Sequence, residues 1–417
     1  MTQPQSNRRT FLKALAGMSA LAISACHDPA RYSDADAARL AAQRRKERMR
    51  SGKGPYGKQV FRGYRGLAEL PWYELDAEGQ LRCTVENLPA AIDIHAHLGM
   101  ALLFAPDLDL QARTPRVRHI LDCDGADPGC AFDLDVYINA NFSAADLSAL
   151  QKGAVEQLTW GNDGAATHTI PNLIAEMDSC GVGQAAILPI CFGLPFGDHQ
   201  TPAWIDAITQ SGHADRFLMG ASVHPRDSDA VAQLRAYAAR GARIVKLHPA
   251  GQRFFPDAPE LYPIYEECGR LGLPIIFHGG RAGIEPSYTH QFTLMRHYEG
   301  AFRDFPNTQF ILGHAGARDV AEAIPLAKKF PGNVWLGIHG QGVSTLQQLV
   351  DEVGSDRLLF GTDWPFYHLA ATQAKVLMVS AQDAGLRRAL LRDNALQMFA
   401  AAGRSLPEAG RKQTSSG

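Results

Sequence analysis

Eight short apolar runs alternate with amphipathic stretches from residue 89 onward. The runs are rich in Ile, Leu and Val and span residues 90–97, 184–190, 217–223, 243–248, 274–278, 310–314, 333–338 and 357–361. Helical spacing of apolar residues lies between most of them, over residues 170–180, 229–240, 260–271, 320–329 and 346–353. This alternation predicts an α/β fold built from parallel βα units, and eight strands favour a closed (β/α)8 TIM-type barrel over residues 89–402.

An open, doubly wound sheet is the structural alternative to a barrel. Such a sheet usually carries a glycine-rich phosphate loop directly after its first strand, and none follows Ile92 in this sequence. The first βα connection, residues 98–167, is too long for a simple loop. On a barrel it is an insertion over the active-site face, so we expect it to shape the pocket.

Three further segments lie outside the predicted barrel. Residues 61–88 contain a small hairpin whose strands, 72–75 and 81–84, flank a turn with glycine. Residues 26–60 are interpreted as a basic tether with a helix over 37–50, and residues 403–417 as a polar tail. The basic run at 44–50 either touches anionic lipid headgroups or forms a solvated helix face.

The composition limits the class of protein further. The chain has 417 residues, of which 46% are hydrophobic and 20% charged, and this excludes wholesale disorder. The formal net charge of -2 argues against a dedicated nucleic-acid binder and leaves a small molecule as the expected partner. No apolar run reaches the ~18–20 residues that a spanning helix needs.

The N-terminal residues 1–25 have the features of an export signal. The pair Arg8-Arg9 followed by Thr-Phe-Leu-Lys resembles the twin-arginine motif, so we expect the twin-arginine machinery to be a partner. The sequence Ile-Ser-Ala-Cys ending at Cys26 resembles a bacterial lipobox, which predicts lipidation of Cys26. The prediction is an exported, membrane-anchored lipoprotein facing the periplasm or the cell exterior. An ordinary cleaved signal is the alternative.

Two cysteines farther along, Cys123 and Cys130, flank a short loop. An oxidising destination permits a disulfide between them, and two free thiols are equally compatible with the sequence.

Histidine and aspartate recur where the predicted barrel strands end. His95 and His97 are two residues apart at the end of the first run, so both point to the same side and form half of a metal site. The carboxyl ends of three further runs carry His278, His314 and Asp363. Because these ends meet in one pocket, five such residues favour catalysis over buried histidines and a helix cap.

This ordered set of motifs resembles the amidohydrolase superfamily, and most closely its amidohydrolase-related branch, which includes the aminocarboxymuconate-semialdehyde decarboxylase-like enzymes. The resemblance rests on Asp-x-His-x-His at 93–97, Val-Lys-Leu-His-Pro at 245–249, the strand ends at His278 and His314, and Gly-Thr-Asp-Trp-Pro at 361–365. It covers residues 89–402.

The resemblance implies a site around a single divalent metal, most often zinc. Its implied ligands are His95, His97, His278 and Asp363, with His314 as the acid/base and Asp363 as a possible partner of the activated water. In binuclear members, a carboxylated lysine on the fourth strand bridges two metals. Lys246 occupies that place in this sequence, so a two-metal site stays open as an alternative.

Other residues near the strand ends are candidates for binding substrate. Lys246 and His248 share one face of the fourth strand, and His224 follows the third. Arg281 suits a substrate carboxylate, whereas a surface salt bridge is the alternative for it and the better interpretation for Arg318. Trp364 either lines the pocket or packs beneath the eighth loop.

The leading functional prediction is a metal-dependent hydrolase that uses metal-activated water on a lactone, ester or amide. The first alternative is a non-oxidative decarboxylase of a small carboxylic acid, and the second is a lipoprotein that binds a metal or ligand without turnover. The sequence has neither a Gly-x-Ser-x-Gly elbow nor a His-Glu-x-x-His helix, so a serine esterase or a zincin has no support.

Overall fold

The computed structural model describes residues 31–100, 108–122, 130–150, 162–193 and 200–406. The predicted signal peptide, the lipidation of Cys26 and most of the predicted tail lie outside these residues. Cys130 forms a disulfide. Cys123, the other cysteine of the pair for which a disulfide and two free thiols were both considered, lies outside the described part of the chain.

Eight parallel strands form one sheet, in the order that the sequence predicts. The strands of the described chain are β1 (Val60–Arg62), β2 (Tyr73–Leu75), β3 (Leu81–Cys83), β4 (Ala91–Ala96), β5 (Ala131–Asp133), β6 (Val182–Ile187), β7 (Phe217–Ala221), β8 (Ile244–Leu247), β9 (Ile275–Phe277), β10 (Phe310–Leu312), β11 (Val334–Gly337) and β12 (Leu358–Leu359). The large sheet runs from β4 through β6 and then in sequence to β12, and each neighbouring pair is parallel.

The two ends of this sheet meet and close a barrel. The amide of Ile94 in β4 donates to the carbonyl of Phe360 beyond β12 at 3.0 Å, and the amide of Asp363 donates to the carbonyl of His95 at 2.7 Å. A parallel bridge between Ala96 and Trp364 continues the contact. The (β/α)8 barrel is therefore confirmed, and the open sheet is excluded.

Helices alternate with the barrel strands. The α-helices are α1 (Asp34–Arg50), α2 (Ile170–Cys180), α3 (Gln200–Gln210), α4 (Ala230–Ala239), α5 (Pro249–Gln252), α6 (Tyr262–Leu271), α7 (Glu299–Asp304), α8 (Val320–Lys329), α9 (Val343–Val353), α10 (Ala370–Val379), α11 (Ala384–Arg388) and α12 (Asn394–Ala401). Residues 144–150, which belong to the insertion, are also helical. Within the described ranges, no helix has both the length and the apolarity needed to cross a membrane.

Alternate residues of each barrel strand belong to two different hydrophobic cores, one inside the barrel and one between the strands and the helices. The strands are therefore apolar on both faces. In β9, Ile276 belongs to the core inside the barrel, whereas Ile275 and Phe277 belong to the core between strands and helices. The C-terminal α12 adds Met398 and Phe399 to the inner core. These side chains fill the barrel and leave the carboxyl ends of the strands for the site.

The N-terminal segment packs on the barrel. Helix α1 begins at a capping box, in which Ser33 accepts from the amide of Asp36 and the Asp36 carboxylate accepts from the amide of Ser33. Leu40 and Glu47 are buried on the inner face of α1. This placement corrects the interpretation of residues 34–50 as part of a tether.

A small antiparallel pair of strands connects the N-terminal segment to the insertion. Strand β1 pairs with β5, and Phe61 stands opposite Phe132. The predicted hairpin is present as β2 and β3. Residues that precede the barrel therefore support the insertion above it.

Candidate metal centre and active site

The first barrel strand ends with two imidazoles that converge. His95 and His97 are both buried, and their Nε2 atoms lie 3.2 Å apart. The Nδ1 of His97 donates to the carbonyl of Leu188 at 2.7 Å, which leaves its Nε2 lone pair directed at His95. A hydrogen bond of this kind, made by the ring nitrogen that does not bind the metal, fixes the tautomer and the orientation of a ligating histidine.

Asp363 joins this group from the loop after β12, the strand that meets β4 where the barrel closes. Its Oδ1 lies 3.4 Å from the Nε2 of His95 and 3.4 Å from the Nε2 of His97. The backbone of Asp363 has a φ of 64°, a left-handed conformation that aspartate tolerates better than most residues. The carboxylate of Asp93 beneath it accepts from the amide and the hydroxyl of Thr362, so the first and eighth strands are joined below the site.

The spacing of these three donor atoms fits a metal ion. Nitrogen and oxygen ligands about 2.0–2.2 Å from zinc, at tetrahedral angles, lie roughly 3.3–3.5 Å from one another. The distances among His95, His97 and Asp363 are 3.2 to 3.4 Å. Burial, followed by the nearby charge of Lys246, lowers the pKa of His95 well below its usual 6.5, so its ring is neutral and has a lone pair to offer.

Lys246 lies at the centre of the site. It extends from β8, is buried, and its Nζ lies 3.0 Å from the Nε2 of His95. Burial lowers the pKa of this amine to about 7. The lysine is thus close enough to the predicted ligands for both roles considered for it, contact with substrate and bridging of two metals.

His278 and His314 form a second pair beside the first. The Nδ1 of His278 lies 3.2 Å from the Nε2 of His314, and the other nitrogen of His314, Nδ1, lies 3.1 Å from the hydroxyl of Tyr137. His278 stacks on His248 with ring centroids 4.1 Å apart. The Nε2 of His278 is buried and has no hydrogen-bond partner among the described residues.

Three of the four predicted ligands therefore come together, and His278 stands apart from them. His95, His97 and Asp363 have donor atoms within 4.8 Å of one another, whereas His278 is not part of that group. His278 contacts the predicted acid/base, His314, whose Nε2 lies 3.9 Å from the Oδ2 of Asp363.

His339 is a site residue that the sequence analysis missed. It follows β11, is fully buried, and lies with its ring 4.1 Å from that of His95 and 4.3 Å from that of His314. Its Nε2 accepts from the amide of His314 at 3.0 Å. These three histidines form a second group with donor atoms within 4.8 Å. The sequence could have pointed to it, because His339 directly follows the seventh apolar run, at a strand end equivalent to that of His314.

Arg281 does not present a free guanidinium to the pocket, which corrects the expectation for it. The side chain is 1% exposed and forms an ion pair with Asp319. It also donates to the hydroxyl of Tyr32 at 3.2 Å and to the carbonyl of Asp36 at 2.6 Å. Partners from α8 and the N-terminal segment thus draw the guanidinium away from the metal ligands.

Arg318 also lies in a buried ion pair. It contacts Glu47 of α1 at 3.3 Å and donates to the carbonyl of Ala282 at 3.1 Å. The alternative of a salt bridge therefore describes Arg318, although the pair is buried rather than on the surface.

Two other candidates pack near the site without lining its cavity. The indole of Trp364 is fully buried and donates to Glu176 of α2 at 3.1 Å. The Nε2 of His224 donates to the carbonyl of Gln252 at 3.1 Å. Trp364 therefore packs beneath the eighth loop, the second of the two placements considered for it.

A cavity of about 70 Å³ opens onto the site. Six predicted residues line it: His97, Lys246, His248, His278, His314 and Asp363. The remaining lining residues were not predicted: Met100, Asn139, Ile190, Ala282, Ile284, Glu285 and Phe366. Glu285 is the acid among them, and burial raises the pKa of its carboxyl.

Comparisons with known proteins agree with the motif set. The family model described as amidohydrolase matches residues 196–400. A curated relative, gamma-resorcylate decarboxylase from Rhodococcus jostii (strain RHA1), is 26% identical over 185 aligned positions, which cover 34% of this chain and 55% of the relative. The chain thus spans about half the length of this relative.

Solved structures share the fold at low identity. An uncharacterised TIM-barrel protein from Bordetella bronchiseptica is 20% identical, with a TM-score of 0.51 over 75% of this chain and 99% of its own. 5-Carboxyvanillate decarboxylase from Sphingomonas paucimobilis is 16% identical, with a TM-score of 0.50 over 74% and 99%.

The amidohydrolase family usually uses a divalent metal, and the histidine-rich group of His95, His97 and Asp363 provides a candidate site for one. The match to this family supports a metal-dependent hydrolase or decarboxylase as the class of function. The family-model match over residues 196–400 supports the amidohydrolase-related superfamily, and the eight-stranded barrel agrees with it.

Proposed function

We propose that the protein is a metal-dependent, non-oxidative decarboxylase of a small carboxylic acid. The observation that carries this proposal is the charge of the site. Asp363 is the carboxylate among the converging donor atoms, and burial raises the pKa of Glu285 in the cavity wall. The surrounding rings of His95, His278, His314 and His339 are neutral because burial lowers their pKa values well below 6.5. A divalent ion held there leaves the site with net positive charge, which complements an anionic substrate.

His95, His97 and Asp363 are the residues that would hold the ion, with His278 as the further ligand that the family resemblance implies. A bound divalent metal supplies positive charge that attracts a carboxylate and stabilises charge developing next to it. The similarity to a curated decarboxylase, at 26% identity, supports the same choice of reaction.

In this proposal His314 moves the proton that decarboxylation requires. The bond between the carboxylate carbon and its neighbour breaks, the electron pair stays on the neighbouring carbon, and that carbon takes a proton as carbon dioxide leaves. The hydroxyl of Tyr137 lies at the Nδ1 of His314 and fixes the ring, so Nε2 is the atom that exchanges the proton. Lys246, 3.0 Å from His95, stands on the cavity wall as a second cationic contact for the substrate.

Hydrolysis of a lactone, ester or amide is the second candidate. The placement of Arg281 favours it, because the guanidinium expected to hold a substrate carboxylate is engaged by Asp319 instead. In this reaction the Nε2 of His314 takes a proton from the attacking water, and the donors around the site stabilise the oxyanion.

Two isotope experiments separate these reactions. Metal-loaded protein is incubated in deuterated water with a panel of small aromatic and unsaturated acids, and in ¹⁸O-labelled water with lactones, esters and amides. Decarboxylation predicts release of carbon dioxide and deuterium at the carbon that lost it. Hydrolysis predicts ¹⁸O in the product acid without loss of carbon dioxide.

The variant His314→Gln, with His213→Gln outside the site as its control, distinguishes an enzyme from a binder. Loss of turnover in the first variant alone supports the assigned role. If His314→Gln keeps full turnover, or if the loaded protein turns over neither class of substrate, the proposal is wrong.

A further inference from the structure

An exposed basic surface follows the N-terminal helix and lies outside the catalytic cavity. It consists of Arg45, Lys46, Arg48, Lys53, Lys58 and Arg62, all of which are exposed. Between Arg39 and Arg65 the sequence has a single acidic residue, Glu47. This local excess of positive charge contrasts with the formal net charge of -2 for the whole chain.

Helix geometry separates the basic surface from Glu47, the one acid within this stretch of the sequence. Asp36, Leu40 and Glu47 point toward the barrel, since they are spaced four and seven residues apart. Glu47 is buried against Arg318. Arg45 lies on the opposite face of α1 and Arg48 lies on its flank, and both keep their charges in solvent.

Two apolar side chains accompany the basic residues. Met49 is 68% exposed, and Val60 in β1 is 36% exposed. Both rank among the most exposed large apolar side chains in the described part of the chain. A surface with basic and apolar groups side by side is suited to the boundary between lipid headgroups and acyl chains.

Helix α1 lies across the catalytic face of the barrel. Arg50 near its end donates to Thr345, which follows the seventh barrel strand. Arg318, the partner of Glu47, donates to the carbonyl of Ala282 in the cavity wall. The basic surface is therefore on the same side of the molecule as the mouth of the cavity.

We propose that the basic surface docks on an anionic lipid bilayer and brings the mouth of the catalytic cavity next to the membrane. The positive charge of the basic surface complements the negative charge of the lipid headgroups. The predicted lipidation site agrees, because Cys26 is eight residues before Asp34. Eight extended residues span at most roughly 30 Å, so an anchor at Cys26 holds α1 close to the headgroups. A substrate taken from the interface then reaches the cavity without crossing the barrel.

Flotation of the full chain with vesicles tests this docking. One set of vesicles is phosphatidylcholine alone, and a second also contains phosphatidylglycerol. Any binding through an acyl group or through the apolar residues 14–25 is common to both sets, so the difference reports the basic surface. The triple variant Arg45→Glu/Lys46→Glu/Arg48→Glu is compared with Arg303→Glu/Lys328→Glu/Lys329→Glu, which makes the same charge change near the ends of α7 and α8.

The expected result is stronger binding to the anionic vesicles, weakened by added salt. Each basic residue near such a surface is worth roughly a fivefold change in affinity. The first triple variant should therefore lose the preference by well over tenfold, while the control variant retains it. Equal binding of the unaltered chain to both vesicle sets, or a preserved preference in the first variant, overturns the proposal. Binding to a DNA duplex with no preference between vesicles assigns the surface to nucleic acid and also overturns it.

Discussion

The side-chain amide of Gln341 donates to the backbone carbonyl of His314, the predicted acid/base. The same amide nitrogen donates to the carbonyl of Ala317 at 2.9 Å. His314 and Ala317 have φ values of 57° and 49°, which non-glycine residues rarely adopt. A buried amine on α10, Lys375, holds Gln341 in turn by donating to its carbonyl at 2.6 Å.

Gln341→Leu should therefore reduce turnover while leaving the metal ligands in place. Without the two hydrogen bonds from the Gln341 side chain, the loop with positive φ values at His314 and Ala317 relaxes, and the ring of His314 shifts. A misplacement of about 1 Å costs up to roughly 100-fold in rate. The measurement is kcat and KM with the identified substrate, beside metal content. Gln348→Leu on the neighbouring α9 is the control. An unchanged kcat in Gln341→Leu contradicts the positioning role.

Removal of the paired histidines should abolish metal binding. We expect about one divalent ion per chain in the unaltered protein and a large loss in His95→Ala/His97→Ala, because two of three converging donors disappear. Elemental analysis of protein purified without chelators measures this, with His213→Ala as control. Two ions per chain would instead support Lys246 as a bridging residue. An unaltered metal content in the double variant contradicts the ligand assignment.

Local pattern was enough to predict the barrel and the residues at its strand ends. The alternation of apolar runs gave all eight strands, and the rule that strand ends converge located His95, His97, His278, His314 and Asp363 in one site. The same rule applies to His339, which lies two residues after β11.

Contacts between side chains that are far apart in the sequence could not be predicted from local patterns. Arg281 was a candidate contact for a substrate carboxylate because it follows a predicted strand end, yet Asp319 and Tyr32 determine the direction of its side chain. Tyr137 belongs to an insertion without a readable motif, and only the fold brings it to His314. Short-range patterns contain no information on such pairings.

The buried ion pair of Arg281 makes a prediction about stability. Arg281→Met leaves the carboxylate of Asp319 buried without its partner, which should lower the free energy of unfolding by about 3–5 kcal/mol. Arg235→Met is the control, since Arg235 is exposed and its partner Glu267 keeps a second ion pair with Arg270, and it should cost about 0–1 kcal/mol. Urea denaturation measures both. If Arg281→Met instead raises KM and leaves the free energy of unfolding unchanged, the structural role is wrong and Arg281 binds substrate.

The carboxylate of Glu176 predicts how stability depends on pH. Burial by itself raises the pKa of Glu176, but electrostatic interactions with His368 and His119 and hydrogen bonds from His119 and the amide of Leu369 outweigh it and lower the pKa to about 2. A depressed pKa means that the ionised group stabilises the fold above its ordinary value of 4.5, and that this stabilisation is lost as the pH falls through 2.

Glu176→Gln removes this titrating group, so the free energy of unfolding of the variant should depend on pH differently from that of the unaltered chain. The unaltered chain should exceed the variant by up to roughly 3 kcal/mol at neutral pH, and the gap should close between about pH 5 and pH 2. Urea denaturation across this range measures the free energy of unfolding of both proteins. Asp356→Gln, at an exposed carboxylate, is the control and should run parallel to the unaltered chain. A gap between Glu176→Gln and the unaltered chain that stays constant down to pH 2 would mean that the carboxylate is not held ionised by its two histidines.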